Sequence, residues 1–419
     1  MTKTKTETDN LQVAEYVVVG YILYSGQVIR RLPRLTAEMF SDPRNGDVWE
    51  IVCSVYAEKG GEMQGKHILP EIGKAYPDLD CDYLKSLLVA VQGVSYEQFC
   101  ENAALLFQHS QADNDPAGDI ICVNSLRESV YNELAGSGDH GYDIGYGPLT
   151  DKYFRLDSGG GIVVMTGYPN QGKTDWLRCT LAQLIYTQKK HVVMLSFEEP
   201  NKAKLVARFI KLGIDTTRPI SADTADRYLD YLDEHLTFIT TNKRRPTIHN
   251  IVTLIEQVMV FQQVDYVVID PYLYIEPEND GDPRETERIK RLLTKLHSWS
   301  QKFHIWTFIV AHPRKKTVEE EGDSFERLSG HLIAGSSHWL NIAEFVLGVS
   351  RVFPDRNGGT DQPSYTMVES MKVRDQDICQ RGKMYFCRRA SGQYRELEEG
   401  IAKTFTFSQA LAERMEWLK

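Results

Sequence analysis

The chain has 419 residues, 42% hydrophobic and 25% charged, a globular composition too long for one ordinary core, since single cores stop growing near roughly 250–300 residues. No segment reaches the roughly 18 consecutive apolar residues of a membrane-spanning helix, and the polar start MTKTKTETDN lacks the apolar run of a signal peptide; no membrane partner and a soluble, cytoplasmic protein are expected. The balance of 48 Lys plus Arg against 58 Asp plus Glu, a net charge of −10, excludes global attraction to nucleic acid and confines any such contact to a local surface, for instance inside a ring.

In chain order, residues 1–10 read as a disordered polar tail. From Leu11 to about Asp113, Val17, Val18, Ile22 and Leu23, then Val48, Ile51, Val52 and Val55, then Leu84, Leu87, Leu88 and Val91 recur at three- and four-residue spacing. The pattern predicts an all-helical domain over 11–112, punctuated by Pro33, the stretch Asp42 to Gly46, Gly60, Gly61 and Gly93. Residues 113–145 read as a linker, small and polar at QADNDPAG and again at GSGDHGYDIGYG, with one amphipathic helix from Ile120 to Leu134 between. The seven cysteines are scattered, odd in number and never spaced CxxC, which argues for reduced, mostly buried thiols.

Beyond Gly145 the texture changes to apolar runs of four to six residues between helical stretches. Ile162 to Met165, Val192 to Leu195, Phe238 to Thr240, Tyr266 to Ile269, Trp306 to Val310 and Phe345 to Val349 read as buried strands of a largely parallel sheet. Met367 to Val373 and Lys383 to Arg388 read as an antiparallel edge. The predicted fold of 146–419 is a P-loop α/β domain.

The strongest motif is Gly167-Tyr168-Pro169-Asn170-Gln171-Gly172-Lys173-Thr174, which fits G-x-x-x-x-G-K-[ST] between a β-rich run and a helix-like segment. Backbone N–H groups and the helix N-terminus then face phosphates, Lys173 reaches the β and γ phosphates of ATP, and the Thr174 hydroxyl binds Mg²⁺. The strand Tyr266 to Asp270 ends in a carboxylate suited to holding Mg²⁺ through water, with Asp265 as a lesser alternative. Ser196-Phe197-Glu198-Glu199-Pro200 ends another strand, and a carboxylate there is positioned to polarise the attacking water. Glu198 is chosen over Glu199. His312, after the strand IWTFIV, is positioned to sense the γ phosphate, with Arg314 and Lys315 beside it for DNA phosphates; on spacing alone a solvated basic loop is an equal reading. Lys372 and Arg374 fall on one side of a strand, because strand side chains alternate, and by themselves read as surface charges or as an arginine-finger pair.

Taken together, TGYPNQGKT, LSFEEP, VVIDPYLYIEP, VAHPRK, AGSSHWLNIAEFVLGVSR and ESMKVRDQ resemble, in order, the DnaB-like family of replicative helicases. AEYVVVGYILYSGQVI and LTAEMFSDPRNGDVWEIVCSVYAEKGG are similar to that family's helical N-terminal domain. The resemblance implies a RecA-like motor over 146–419 joined by the helical linker to the all-α domain, and a homohexamer translocating on single-stranded or forked DNA from 5′ to 3′. Primase and a helicase loader are the implied partners of the N-terminal domain, and the linker helix is implied to dock on an adjacent motor. The family match makes Lys173 and Thr174 the P-loop pair, Glu198 the catalytic glutamate, Asp270 the Mg²⁺-holding aspartate and His312 the γ-phosphate sensor. Lys372 and Arg374 match the K-x-R pair that reaches a neighbouring subunit's nucleotide.

The motif variants look more like the phage and Twinkle-like versions than the common bacterial ones, so the implied setting is a bacterial or phage-infected host cell. In the DNA-facing loop the bacterial R-E-S-G appears here as Ala334-Gly335-Ser336-Ser337. The arginine is absent, which leaves the backbone N–H groups at Gly335, Ser336 and Ser337, or Arg314 and Lys315, as candidate DNA contacts. Two rivals are a RecA- or KaiC-like DNA-binding ATPase without unwinding activity and a scaffold with a dead P-loop. The helical N-terminal domain speaks against the first, and intact Lys173, Thr174, Glu198 and Asp270 against the second.

Overall fold

Helix-period spacing in the first part of the chain is realised as α1 (Lys5–Tyr24), α2 (Pro43–Lys59), α3 (Gly65–Ala75), α4 (Cys81–Ala90) and α5 (Tyr96–Ala112). The structure, a computed structural model, describes residues 5–24, 31–60, 63–77, 81–112, 123–137, 140–199, 201–240, 246–277, 284–313, 333, 337–352 and 365–398. The chain divides into two compact units, residues 1–126 with 252–263, and residues 127–251 with 264–419.

In the first unit Val17, Val18 and Ile22 of α1, Val48, Trp49 and Val52 of α2, Ile68 of α3, Leu87 of α4 and Phe99 and Leu106 of α5 are buried. Each such side chain contributes about 1.5–3 kcal/mol of hydrophobic stabilisation. Close packing of α1 on α4 depends on Gly20, where a Cβ would lie 2.6 Å from the Leu87 carbonyl oxygen. α1 begins at Lys5, ahead of both the start read at Leu11 and the end of the polar tail read over 1–10. Once a helix exists, each further residue gains a hydrogen bond, so polar residues such as Thr6 and Asp9 can extend it.

The turn signals act as helix ends. Asp42 is the N-cap of α2 and accepts from the Arg44 amide, Pro43 occupies the first turn, and Gly60 is the C-cap. Glu15, fully buried on α1, accepts from the Ser41 amide at 2.5 Å, the Asp42 amide at 3.2 Å and Asn45 Nδ2 at 2.7 Å, and Tyr83 donates to Asn45 at 3.0 Å. Glu15→Ala strands these buried donors and is expected to cost about 3 kcal/mol in chemical denaturation; a loss under about 1 kcal/mol would mean water replaces the carboxylate.

The second unit opens with α6 (Arg127–Leu134), preceded by a 3₁₀ turn over Val123–Leu126. The single helix read from Ile120 to Leu134 is therefore half α-helix. Residues 120–122 lie outside the described residues. Asn124 is of a residue type that favours local side-chain hydrogen bonding over helix, which accounts for the tighter start. The apolar side of this segment is open, with Val123 82%, Val130 42% and Leu134 81% exposed.

After α7 (Pro148–Tyr153), the described residues form one nine-stranded sheet: β1 (Gly161–Thr166), β2 (Val192–Ser196), β3 (Leu236–Phe238), β4 (Tyr266–Asp270), β5 (Trp306–Val310), β6 (Phe345–Val352), β7 (Tyr365–Val373), β8 (Gly382–Arg388) and β9 (Tyr394–Leu397). The order is β3-β2-β4-β5-β1-β6-β7-β8-β9, parallel from β3 to β6 and antiparallel from β6 to β9. β1, β2, β4 and β5 are buried along their whole length, as expected where helices cover both faces of a parallel sheet. The crossovers are α8 (Lys173–Gln188), α9 (Lys202–Ile214), α10 (Ala222–His235), α11 (Ile248–Phe261) and α12 (Glu285–Lys302); α13 (His338–Ile342) precedes β6.

Three strand readings are corrected. β3 lies at 236–238 rather than 238–240, because α10 runs into it without a loop and Leu236 pairs with Val192. β6 continues past Val349 to Val352, carried by pairing with β7. β9 is not legible as a strand in sequence, since Tyr394-Arg395-Glu396-Leu397 is short and half polar; pairing with β8 makes it a strand. Among the described residues no helix is long and apolar enough to cross a membrane, and Cys179, Cys379 and Cys387 are buried free thiols, with Cys53 exposed.

Candidate functional site

The loops after β1, β2, β4 and β5 all leave the same edge of the sheet, the carboxyl edge where open α/β folds bind ligands. After β1 the chain turns sharply. Gly167 has φ 155° and a Cβ there would collide with the Val349 carbonyl oxygen; Asn170 and Gly172 take φ 62° and 89°. Only glycine accommodates both the conformation and the close approach at Gly167. Gly172 then caps α8, whose first N–H groups lack helical partners and point toward the loop.

Lys173 is buried and folds back over the cradle, its Nζ donating to the carbonyl oxygens of Gly167 at 2.6 Å and Tyr168 at 3.0 Å. Burial lowers its pKa, while the charges of Asp270 and Glu198 work to raise it. Asp270, 2% exposed at the end of β4, is pushed up to about 6 by burial and then by the Glu198 charge, against the Thr174 hydroxyl, Arg178 and Lys173, which favour its ionised form. A buried carboxylate raised this far is short of positive charge. Thr174 and Asp270 supply two hard oxygen donors, a set that fits Mg²⁺, which keeps waters and phosphate oxygens for its remaining positions. Such an ion, when bound, would neutralise charge on phosphate oxygens. Asp265, the alternative carboxylate, lies at the other end of β4, where it accepts from the His191 amide at 2.8 Å and pairs with Lys190.

The adjacent glutamates after β2 separate cleanly. Glu199 pairs with Arg208 at 2.7 Å, and Lys202 pins the turn by donating to the carbonyl oxygens of Ser196 and Glu199. Glu198 keeps an open side chain, 52% exposed, with Oε1 3.9 Å from His312 Nε2. Burial, then the Lys173 charge, holds the His312 pKa below its usual value, which favours the neutral imidazole. Glu198→Gln is expected to retain nucleotide binding and lose about 10²–10⁴-fold in hydrolysis, the worth of a positioned general base, and Glu199→Gln to stay within a few-fold of wild type. A dead Glu199→Gln beside an active Glu198→Gln in steady-state phosphate release would reverse the assignment.

Sequence reading missed Arg351, for the same reason that it ended β6 too early. Its amide donates to Gln171 at 2.6 Å, and its guanidinium joins Arg178 and Arg388 around Asp175, at 3.4, 3.3 and 3.8 Å. This cationic group borders the P-loop next to Thr174. Tyr168, Pro169 and Gln171 complete the turn.

Lys372 and Arg374 stand at the opposite edge. Both donate to the carbonyl end of α13, Lys372 to Leu340 and to Asn341 at 3.3 Å, Arg374 to Ile342 and to Asn341 at 3.1 Å. They do share one side: Arg374 lies one residue past β7, and the pairing shift between Val346↔Lys372 and Leu347↔Ser370 falls before both. Burial, with the neighbouring Arg374 charge, lowers the Lys372 pKa to about 8 against the effect of Glu344. Of the candidate DNA contacts, Arg314, Lys315, Gly335 and Ser336 lie outside the described residues; Ser337 is the N-cap of α13. Pro313 and Ile333 form a bridge, and Trp339 of α13 is buried against the Tyr272 ring, centroids 4.8 Å apart.

No protein-family model matches the chain. It is similar to the Twinkle homolog protein, chloroplastic/mitochondrial, of Arabidopsis thaliana, 24% identical over 278 residues that take in 63% of this chain and 38% of that relative. The chain thus covers well under two thirds of the relative's length. Among solved structures, one described as an ATPase domain matches with a TM-score of 0.53 at 16% identity, over 66% of this chain and 99% of the other. The structure described as a DnaB-like replicative helicase and its interactions with primase matches with a TM-score of 0.49 at 16% identity, over 92% and 100%. The fold is that of RecA-like ATPase domains, an α/β P-loop domain accompanied by a helical N-terminal region. The Twinkle-type resemblance read from the motifs is met again in the sequence likeness to the Twinkle homolog.

Proposed function

We propose that this relative of the DnaB-like and Twinkle-type replicative helicases hydrolyses ATP with Mg²⁺ and moves single-stranded DNA through a homohexameric ring, unwinding duplex from 5′ to 3′. One observation carries the reading. Lys173, Thr174, Glu198, Asp270 and His312 converge at the carboxyl edge of the sheet, whereas Arg374, level with Ile162, stands at the amino edge, about 17 Å below Gly167 along five residues of strand, and Lys372, level with Val164, about 10 Å below it. Two cations so far from their own P-loop cannot complete their own site, and they suit one on another subunit.

In this reading Lys173 and the loop amides hold the phosphates, Thr174 and Asp270 hold Mg²⁺, Glu198 orients the attacking water, and His312 senses the γ phosphate. Residues 11–112 form the domain that meets primase and loader, 113–145 the linker, and 146–419 the motor. The open apolar side of α6 favours docking on a neighbouring motor. Arg314 and Lys315, with the amides at Gly335, Ser336 and Ser337, contact DNA phosphates. Sedimentation in Mg²⁺ and nucleotide, with hydrolysis measured on the same samples with and without single-stranded DNA, tests the reading. A six-subunit assembly stimulated by DNA is expected. Full turnover by a monomer, or hydrolysis indifferent to DNA, would contradict it.

A further inference from the structure

Behind the two cations at the amino edge stands a carboxylate that the nucleotide chemistry does not use. Glu344 is 9% exposed and lies one residue before β6. Its Oε1 accepts from His297 Nε2 of α12 at 2.6 Å, its Oε2 accepts from the Ile162 amide at 2.6 Å, and Arg374 Nε lies 3.6 Å from Oε1. The backbone is tied at the same point: the Arg374 amide donates to the Glu344 carbonyl and the Glu344 amide to the Ile162 carbonyl, both at 3.0 Å. Gly161 leaves space for the carboxylate, since a Cβ there would lie 2.6 Å from Oε2.

This arrangement exceeds what joining β1 to β6 requires, because the two strands already pair through their backbones. Two like charges side by side repel, and a buried carboxylate beside them offsets that repulsion. Met371 is the extra residue between the two pairing registers, a bulge of the kind found near functional sites, and Lys372 just after it donates to the Asn341 carbonyl that Arg374 also uses. An arginine already held by such partners has less conformational freedom to lose when it meets a ligand.

We propose that Glu344 is the positioning residue of Lys372 and Arg374: fixed by His297 and the Ile162 amide, it holds Arg374, and through it Lys372, in the orientation that meets a γ phosphate bound by another subunit. The proposal rests on the shared-site reading above. Glu344→Gln keeps the shape and the acceptor for Ile162 but removes the charge facing Arg374. In the full chain with single-stranded DNA it is expected to lower kcat by about 10²-fold, the scale set by misplacing a catalytic group, with KM for ATP within about twofold because the P-loop is untouched. Glu344→Gln/Arg374→Ala should be no slower than Arg374→Ala alone, and mixing Glu344→Gln with Lys173→Ala should restore turnover. Wild-type kcat in Glu344→Gln beside a dead Arg374→Ala overturns the positioning role and leaves the shared site standing; wild-type kcat in Arg374→Ala strikes the shared site itself. A raised KM at constant kcat also overturns the proposal. Should Glu344→Gln fail to fold, His297→Asn, which alters only the α12 partner, is measured in its place, and an unchanged kcat there counts against the proposal.

Discussion

Arg374→Ala is expected to keep nucleotide binding and assembly while losing about 10³–10⁵-fold of DNA-stimulated hydrolysis, the worth of an arginine finger. The side chain is 45% exposed, and an exposed arginine with only a structural role contributes almost nothing measurable. The two readings therefore differ by orders of magnitude. Its position at the amino edge keeps it from its own P-loop, so the loss should be repaired by mixing with Lys173→Ala. Such a mixture contains interfaces that join an intact P-loop from one subunit to an intact Arg374 from the other. Steady-state phosphate release across mixing ratios measures this; turnover that stays at the level of the separate variants at every ratio would mean that each chain's site is complete in itself.

Lys173→Ala is expected to abolish hydrolysis, a loss of at least about 10³-fold, because transition-state charge on the phosphates then develops in a water-poor site without its cation. The lysine is 6% exposed, and among the described residues its Nζ donates to two carbonyl oxygens of its own loop. Removing it should therefore leave the fold intact, which unchanged thermal melting would verify. It also takes away one of the charges that favour ionised Asp270, so the variant should bind Mg²⁺-nucleotide more weakly, measurable by fluorescent-nucleotide titration. Near-normal turnover would mean that the cradle is not a phosphate site.

Much of the site is legible in sequence because its parts are local. The glycines at 167 and 172, Lys173 and Thr174 are adjacent, and Asp270 ends an apolar run, so spacing alone marks them. What spacing does not carry is who pairs with whom. Glu198 and Glu199 are chemically equal in the sequence; Arg208, on the next helix, pairs with Glu199 and leaves Glu198 facing His312. Arg351 and β9 depend on strand pairing beyond the apolar run, a long-range effect that overrides local propensity. Alternation places Lys372 and Arg374 on one side, but the α13 carbonyls that gather both cations are not legible from spacing. Glu344 attracted no notice because a lone acidic residue before a strand reads as a solvated turn until His297 and Ile162 are seen around it.

Strand separation on forked DNA tests the central claim most directly. With ATP and Mg²⁺, the full chain should displace the labelled strand of a fork that carries a free 5′ single-stranded tail and fail on an otherwise identical duplex with only a 3′ tail, and Lys173→Ala should unwind neither. Hydrolysis that proceeds with DNA bound while both forks stay intact would contradict a helicase and favour a DNA-binding ATPase without unwinding activity.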